Sequence, residues 1–160
     1  MIRPCIVFEE RCEEAVDFYV SLFPNSKVLS IQRSESAAGP VAKGQVIGCT
    51  WQLDGRKYLS FDGGPSFKFT EAFSLMVMCE TQEDVDRYWS NLIEGGGEEG
   101  PCGWLKDRFG LSWQIVPSAL PRMLGDSKSG DSHAAMEAML KMKKLDIAEL
   151  ERAYRGSGVA

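Results

Sequence analysis

An eight-residue pattern, Glu-x-Val-Asp-x-Tyr-x-Ser, occurs twice in this chain. It appears as Glu14, Val16, Asp17, Tyr19 and Ser21, and again as Glu83, Val85, Asp86, Tyr88 and Ser90. The offset between copies is a constant 69 positions, and the apolar members fall at helical spacing. Such a repeat constrains the fold more than any single motif, because each copy is half of something. It predicts a pseudo-symmetric domain with a cleft where the halves meet. A second repeated segment follows in the same order. Trp51-Gln52-Leu53-Asp54-Gly55 leads into Tyr58-Leu59-Ser60-Phe61-Asp62, and Trp104-Leu105-Lys106-Asp107 leads through Arg108-Phe109-Gly110 into Leu111-Ser112-Trp113-Gln114. Both read as strand, tight turn, strand. The offset here drops to 53 and then 52. Residues 34–44, a polar loop with Gly and Pro, account for the extra length of the first copy, and loops absorb insertions at low cost.

The first copy reads as a strand over 2–8, a helix over 12–23 stopped by Pro24-Asn25, and strands over 27–33, 45–53 and 57–62. After a join over 63–70, the second reads as a strand over 73–79 and a helix over 82–93 with Thr81 as N-cap. The turn Gly95-Gly96-Gly97 and strands over 98–101, 102–107 and 111–116 complete it. The expected fold class is therefore α+β: two tandem βαβββ units (1–64 and 72–117) in one domain over 1–117, plus C-terminal helices over 118–160. In that extension we expect a short helix over 118–124, a polar and mobile connection over 126–131, and a helix over 133–144. Met136, Met139, Leu140 and Met142 are the apolar positions of the latter, suited to covering a sheet edge or a partner subunit. Asp146-Ile147-Ala148-Glu149 has capping-box form and opens a last helix to about residue 154, with a frayed end over 156–160.

With 160 residues and a 44% hydrophobic fraction, the chain suits a single packed domain. A net charge of -5 argues against non-specific nucleic-acid binding, which needs a basic face. The apolar run at the N-terminus is too short for a signal peptide or a membrane span. Cys5, Cys12, Cys49, Cys79 and Cys102 are far apart, with no Cys-x-x-Cys pair. The expected setting is the cytoplasm with reduced thiols, without membrane or nucleic-acid partners.

Several strings carry a resemblance: Glu13-Glu14-Ala15-Val16-Asp17-Phe18-Tyr19, Leu22-Phe23-Pro24-Asn25-Ser26, and Gly63-Gly64-Pro65-x-Phe67-x-Phe69-Thr70-Glu71-Ala72. Gly100-Pro101-Cys102-Gly103-Trp104-Leu105-Lys106-Asp107, Gly110-Leu111-Ser112-Trp113-Gln114-Ile115-Val116-Pro117 and the tail string Met139-Leu140-x-Met142-x-Lys144-Leu145-Asp146-Ile147 join them. Together they resemble the PhnB-like group, often labelled demethylubiquinone methyltransferase, within the vicinal-oxygen-chelate superfamily of glyoxalase I, bleomycin-resistance proteins and extradiol dioxygenases. The resemblance implies half-barrel sheets enclosing a cup, and a homodimer. It also implies metal-ligand positions on the first and fourth strands of each unit, which fall on Pro4, Phe73, Asp62 and Gln114. Pro4 and Phe73 cannot coordinate through their side chains, so one carboxylate and one amide remain, short of a catalytic divalent site. The expectation is no metal and no other cofactor, with a divalent metal as the alternative.

Asp62 and Gln114 alternate with Phe61 and Trp113. If the rings face the helices, then Ser60, Asp62, Ser112 and Gln114 line the cup, where a carboxylate would serve as base or hydrogen-bond anchor. Otherwise Asp62 caps the Gly63-Gly64-Pro65 turn and Gln114 is satisfied by a neighbour. Phe8, Trp51, Phe69 and Trp104 complete the candidate ligand-binding set, with core packing as the competing role of each. His133, the only histidine, excludes a multi-His metal site. The strand cysteines lack an activating cation or helix N-terminus. Gly95-Gly96-Gly97 follows a helix and so is not a phosphate-binding loop. Three functions stand in order: a metal-independent binder of a small organic molecule, a metal-dependent lyase, isomerase or dioxygenase, and the methyltransferase of the family label.

Overall fold

The structure, a computed structural model, describes residues 2–156. The chain divides into two compact units, Met1–Lys68 and Phe69–Ala160. Each contains one copy of the repeat, and no described helix is long and apolar enough to cross a membrane.

The first unit runs β1 (Cys5–Phe8), α1 (Cys12–Leu22), β2 (Lys27–Arg33), β3 (Val46–Leu53) and β4 (Arg56–Asp62). Its sheet has the order β1-β4-β3-β2, with β1 parallel to β4 and the other pairs antiparallel. Asp54 and Gly55 close the β3–β4 hairpin at φ 45° and 79°, the left-handed pair that a two-residue turn requires. Helix α1 packs on one face of the sheet through a ring stack. Trp51 is fully buried, 5.9 Å from Tyr19 of α1 and 4.9 Å from Tyr58 of β4. Phe8, also buried, lies 6.5 Å from the Tyr19 ring. Aromatics at these separations add specific geometry to burial.

The second unit runs β5 (Ser74–Cys79), α2 (Gln82–Ile93), β6 (Glu98–Glu99), β7 (Trp104–Lys106) and β8 (Ser112–Pro117). Its sheet, β5-β8-β7-β6, repeats the same pairing pattern, with β5 parallel to β8. Thr81 caps α2 as expected, accepting from the Asp84 N–H at 3.1 Å.

The extension, α3 (Leu120–Gly125), α4 (Ser132–Leu140) and α5 (Ile147–Arg155), belongs to this second unit. Val116 at the end of β8 shares an apolar cluster with Leu120, Met123, Ala135, Leu145, Leu150 and Tyr154. Helix α4 ends at Leu140, short of the expected 144, because the next carbonyls are used elsewhere. Those of Met142 and Lys143 accept from the Cys102 and Gly103 N–H groups at 2.8 and 2.7 Å. The connection expected to be mobile is instead tied to α5. Asp131 N–H donates to the Tyr154 carbonyl at 2.7 Å, and the Tyr154 hydroxyl donates to the Asp126 carbonyl at 2.8 Å. Asp146 caps α5 by accepting from Glu149 N–H at 2.8 Å. The frayed end expected beyond Gly156 lies outside the described residues.

Candidate functional site

Residues paired across a sheet share a face, so the registers assign each candidate side chain. In the first unit Trp51 pairs with Tyr58, Cys49 with Ser60, and Phe8 with Asp62. All six lie on the face that carries α1. Ser60 is buried and its hydroxyl accepts from Trp51 Nε1 at 3.0 Å. Asp62 Oδ1 accepts from the Cys12 N–H at 2.8 Å. Arg11, at φ 68°, gives α1 no side-chain cap, so a carboxylate from β4 satisfies the first N–H of the helix instead. The condition that rings face the helix and polar groups the cup is therefore reversed here: Leu59 and Phe61 occupy the open face.

The cause is one residue of register. Cys5 pairs with Leu59, and its equivalent Ser74 pairs with Ser112. Leu59 thus corresponds to Ser112, an offset of 53, and Gln114 corresponds to Phe61 rather than Asp62. A one-residue slip carries every side chain of a strand to the opposite face.

In the second unit the expected facing holds. Trp113, Ile115 and Leu105 are buried on the α2 side, while Ser112, Gln114, Trp104 and Lys106 share the open face with Ser74 and Met76. Gln114 Nε2 donates to Ser74 Oγ at 2.8 Å, so its amide is satisfied by a neighbour. A cavity of about 410 Å³ opens on this face, lined in part by Trp104, Leu105, Lys106, Ser112, Gly100 and Pro101. Ser112 is 1% exposed, and its Oγ has no hydrogen-bond partner among the described residues. At the cavity rim Lys106 Nζ meets Glu71 Oε1 at 2.5 Å, which holds the Glu71 carboxyl below its ordinary range and the Lys106 ammonium above its own. Phe69 is half-buried beside the turn at Gly110. The structure thus brings Trp104 and Ser112 together at one cavity and leaves Phe8, Trp51, Ser60 and Asp62 in the packing of α1. Glu98 and Lys106, paired across β6 and β7, escaped the sequence reading because a two-residue strand carries no alternation to place them.

Asp62 is spent on the α1 N-terminus, the Gln114 amide on Ser74, and no group of three or more His, Cys, Asp or Glu among the described residues is placed to hold a metal. Burial raises the Cys12 thiol well above its ordinary value and pushes Cys79 up to about 11.

Burial likewise raises the Asp62 carboxyl, outweighing the Cys12 hydrogen bond that lowers it, and Glu10 and Glu13 add to the rise. With the folded value above the unfolded one, the unfolded chain ionises first. Asp62 therefore costs stability progressively as pH climbs from about 4 through the raised value, and the cost is constant above it. Urea midpoints should show wild type losing ground to Asp62→Asn across that interval. A wild type that gains instead would mean that the helix terminus dominates.

A family model described as 3-demethylubiquinone-9 3-methyltransferase matches residues 1–116. No curated protein matches. The PhnB protein of Bacillus cereus, which carries the same methyltransferase label, is 36% identical, with 72% of this chain and 98% of that one covered at a TM-score of 0.65. A Pseudomonas aeruginosa protein superposes at 0.61 with 18% identity, covering 73% and 96% of the two chains. The fosfomycin resistance protein FosX of Listeria monocytogenes, solved with Mn(II) and sulfate, superposes at 0.53 with 13% identity over 72% and 88%. The last two share the fold alone.

Proposed function

The chain belongs to the family described as 3-demethylubiquinone-9 3-methyltransferase, in the PhnB-like branch of the glyoxalase, bleomycin-resistance and FosX superfamily, and from that premise we propose that it binds a small organic molecule without a catalytic metal, as a homodimer. One observation carries the reading. Ser112, whose buried hydroxyl has no partner among the described residues, lines a cavity together with Trp104 and Pro101. Leaving a buried hydroxyl unpaired costs about 1–3 kcal/mol, and a ligand that supplies the missing bond recovers it. A mostly apolar wall with a few placed polar groups is how small-molecule sites are built. The metal-independent half rests on the donor set, since the carboxylate and amide at the expected ligand positions are engaged by Cys12 and Ser74. The methyl transfer in the family description finds less support, because Gly95-Gly96-Gly97 leads from α2 into β6 rather than from a strand into a helix.

The neutral fluorophore N-phenyl-1-naphthylamine suits the test, having an aromatic body and one N–H donor. We expect it to brighten on binding, and Ser112→Val to weaken that binding roughly fivefold to tenfold while thermal stability holds or rises. Trp104→Ala should weaken it further. Unchanged affinity in both variants would remove the cavity from the site. Stoichiometric zinc, nickel, manganese or iron in dialysed protein would overturn the metal-independent half, and calorimetric binding of S-adenosylmethionine would restore the methyltransferase reading.

A further inference from the structure

The cavity is unbalanced in charge. Glu71 and Glu98 contribute two carboxylates to its lining and Lys106 the single ammonium, while Glu99, paired with Leu105, turns its carboxylate to the α2 side. Lys106 is committed to Glu71 at 2.5 Å. Glu99 accepts from Trp89 Nε1 at 3.0 Å and faces Lys143 at 3.5 Å, contacts that keep it ionised. Glu98 pairs with Lys106 in the strand register and so sits on the cavity's own face of the sheet. Lys106 stands between Glu98 and Ser112 in the strand register, and Trp104 lines the same cavity with an indole whose π-face attracts cations.

Resting on the reading that this cavity binds a small molecule, we infer that its ligand is cationic: an ammonium or amidinium on an aromatic or aliphatic body. The positive group lies toward Glu98 and the Trp104 face, the apolar body against Pro101, and a hydrogen-bonding atom meets Ser112 Oγ. A carboxylate or phosphonate of the same size would bring its charge against Glu98, which among the described residues has no ion-pair partner. Selection against anions is therefore the larger part of the specificity.

Three probes of similar size separate the possibilities: benzyltrimethylammonium, benzyl alcohol and phenylacetate. Binding is read from the indole N–H resonance of Trp104, assigned through Trp104→Phe. At low ionic strength the cation should bind about tenfold more tightly than phenylacetate, with the ratio shrinking toward one in high salt. Glu98→Gln should weaken the cation severalfold and leave benzyl alcohol unchanged. Phenylacetate binding as tightly as the cation, or a preference that survives both Glu98→Gln and high salt, would overturn the charge assignment while the cavity itself stands. Failure of all three probes to move the Trp104 resonance of folded protein would sink the binding reading, and this inference with it.

Discussion

Replacing Asp107 with Ala is expected to lower the thermal midpoint by roughly 10 °C. Asp107 is 3% exposed at the mouth of the β7–β8 turn, and its carboxylate is the acceptor around which that turn folds. Oδ1 takes the N–H groups of Phe109 and Leu111 at 2.8 and 3.1 Å, and Oδ2 takes Trp113 Nε1 at 2.8 Å. Bonds to an ionised acceptor are about twice as strong as neutral ones. Truncation strands the Leu111 N–H and the Trp113 indole where water cannot replace the lost oxygen. At about 1–3 kcal/mol for each stranded donor, the loss is roughly 3–5 kcal/mol. Asp107→Asn should fare little better, because its amide presents either N–H₂ to the indole or N–H₂ to the turn. The consequence reaches the cavity. Trp113 anchored on the α2 side is what turns Ser112 and Gln114 to the open face, so binding of N-phenyl-1-naphthylamine should fall along with stability. A shift of the midpoint below about 3 °C would mean that the turn holds by backbone bonds alone.

Asp107 also marks where the sequence could be read and where it misleads. The helix repeat is legible because a helical face tolerates no slip: Val16 and Tyr19 are buried on α1 as Val85 and Tyr88 are on α2. The strand repeat is legible only in type. Matching Trp51-Gln52-Leu53-Asp54 to Trp104-Leu105-Lys106-Asp107 aligns letters, yet the pairings set Cys49 opposite Ser60 and Leu105 opposite Trp113. Since Ser60 corresponds to Trp113, Cys49 corresponds to Leu105, three residues away from the match the letters suggest. Two tryptophans that look equivalent are consequently different parts: Trp51 is the centre of the first unit's core, and Trp104 is a cavity wall. Asp54 occupies a two-residue hairpin, whereas Asp107 closes a longer turn and is buried by it. The cavity half of the candidate site was legible because Trp113 is large enough to claim the helix side. The Asp62 half was not, because the unpaired helix start at Cys12 recruits a carboxylate from fifty positions later, and nothing local announces that demand.

The tail presents the second large effect, at Gly103. The family match stops at residue 116, and the helices beyond it meet the repeated unit at the loop before β7. Gly103 sits at φ 82°, and a Cβ there would lie 2.7 Å from the Ile115 carbonyl and 3.0 Å from Leu145 Cδ1. Its N–H donates to Lys143 O at 2.7 Å and its carbonyl accepts from Ile115 N–H at 2.8 Å, which leaves the backbone no room to move aside. Gly103→Ala must either distort β8 or release the 142–145 segment. Release is the cheaper course, since apart from the burial of Leu145 that segment is held by Gln82, which bonds Leu145 O at 3.1 Å and Ile147 N–H at 2.8 Å, and by the Lys144–Asp86 pair at 2.6 Å. The expected cost is about 2–4 kcal/mol, with faster amide exchange concentrated over 142–155. Gly125→Ala, where nothing stands within 4 Å and φ is ordinary, should be neutral or slightly stabilising and serves as the control. Gly100 and Pro101 line the cavity and lie on the same loop, so a released tail should also weaken probe binding, although no described tail residue lines that cavity. Equal exchange in the two glycine variants would show that the helices dock through the apolar cluster around Leu145 and Leu150 without needing the strap at Gly103.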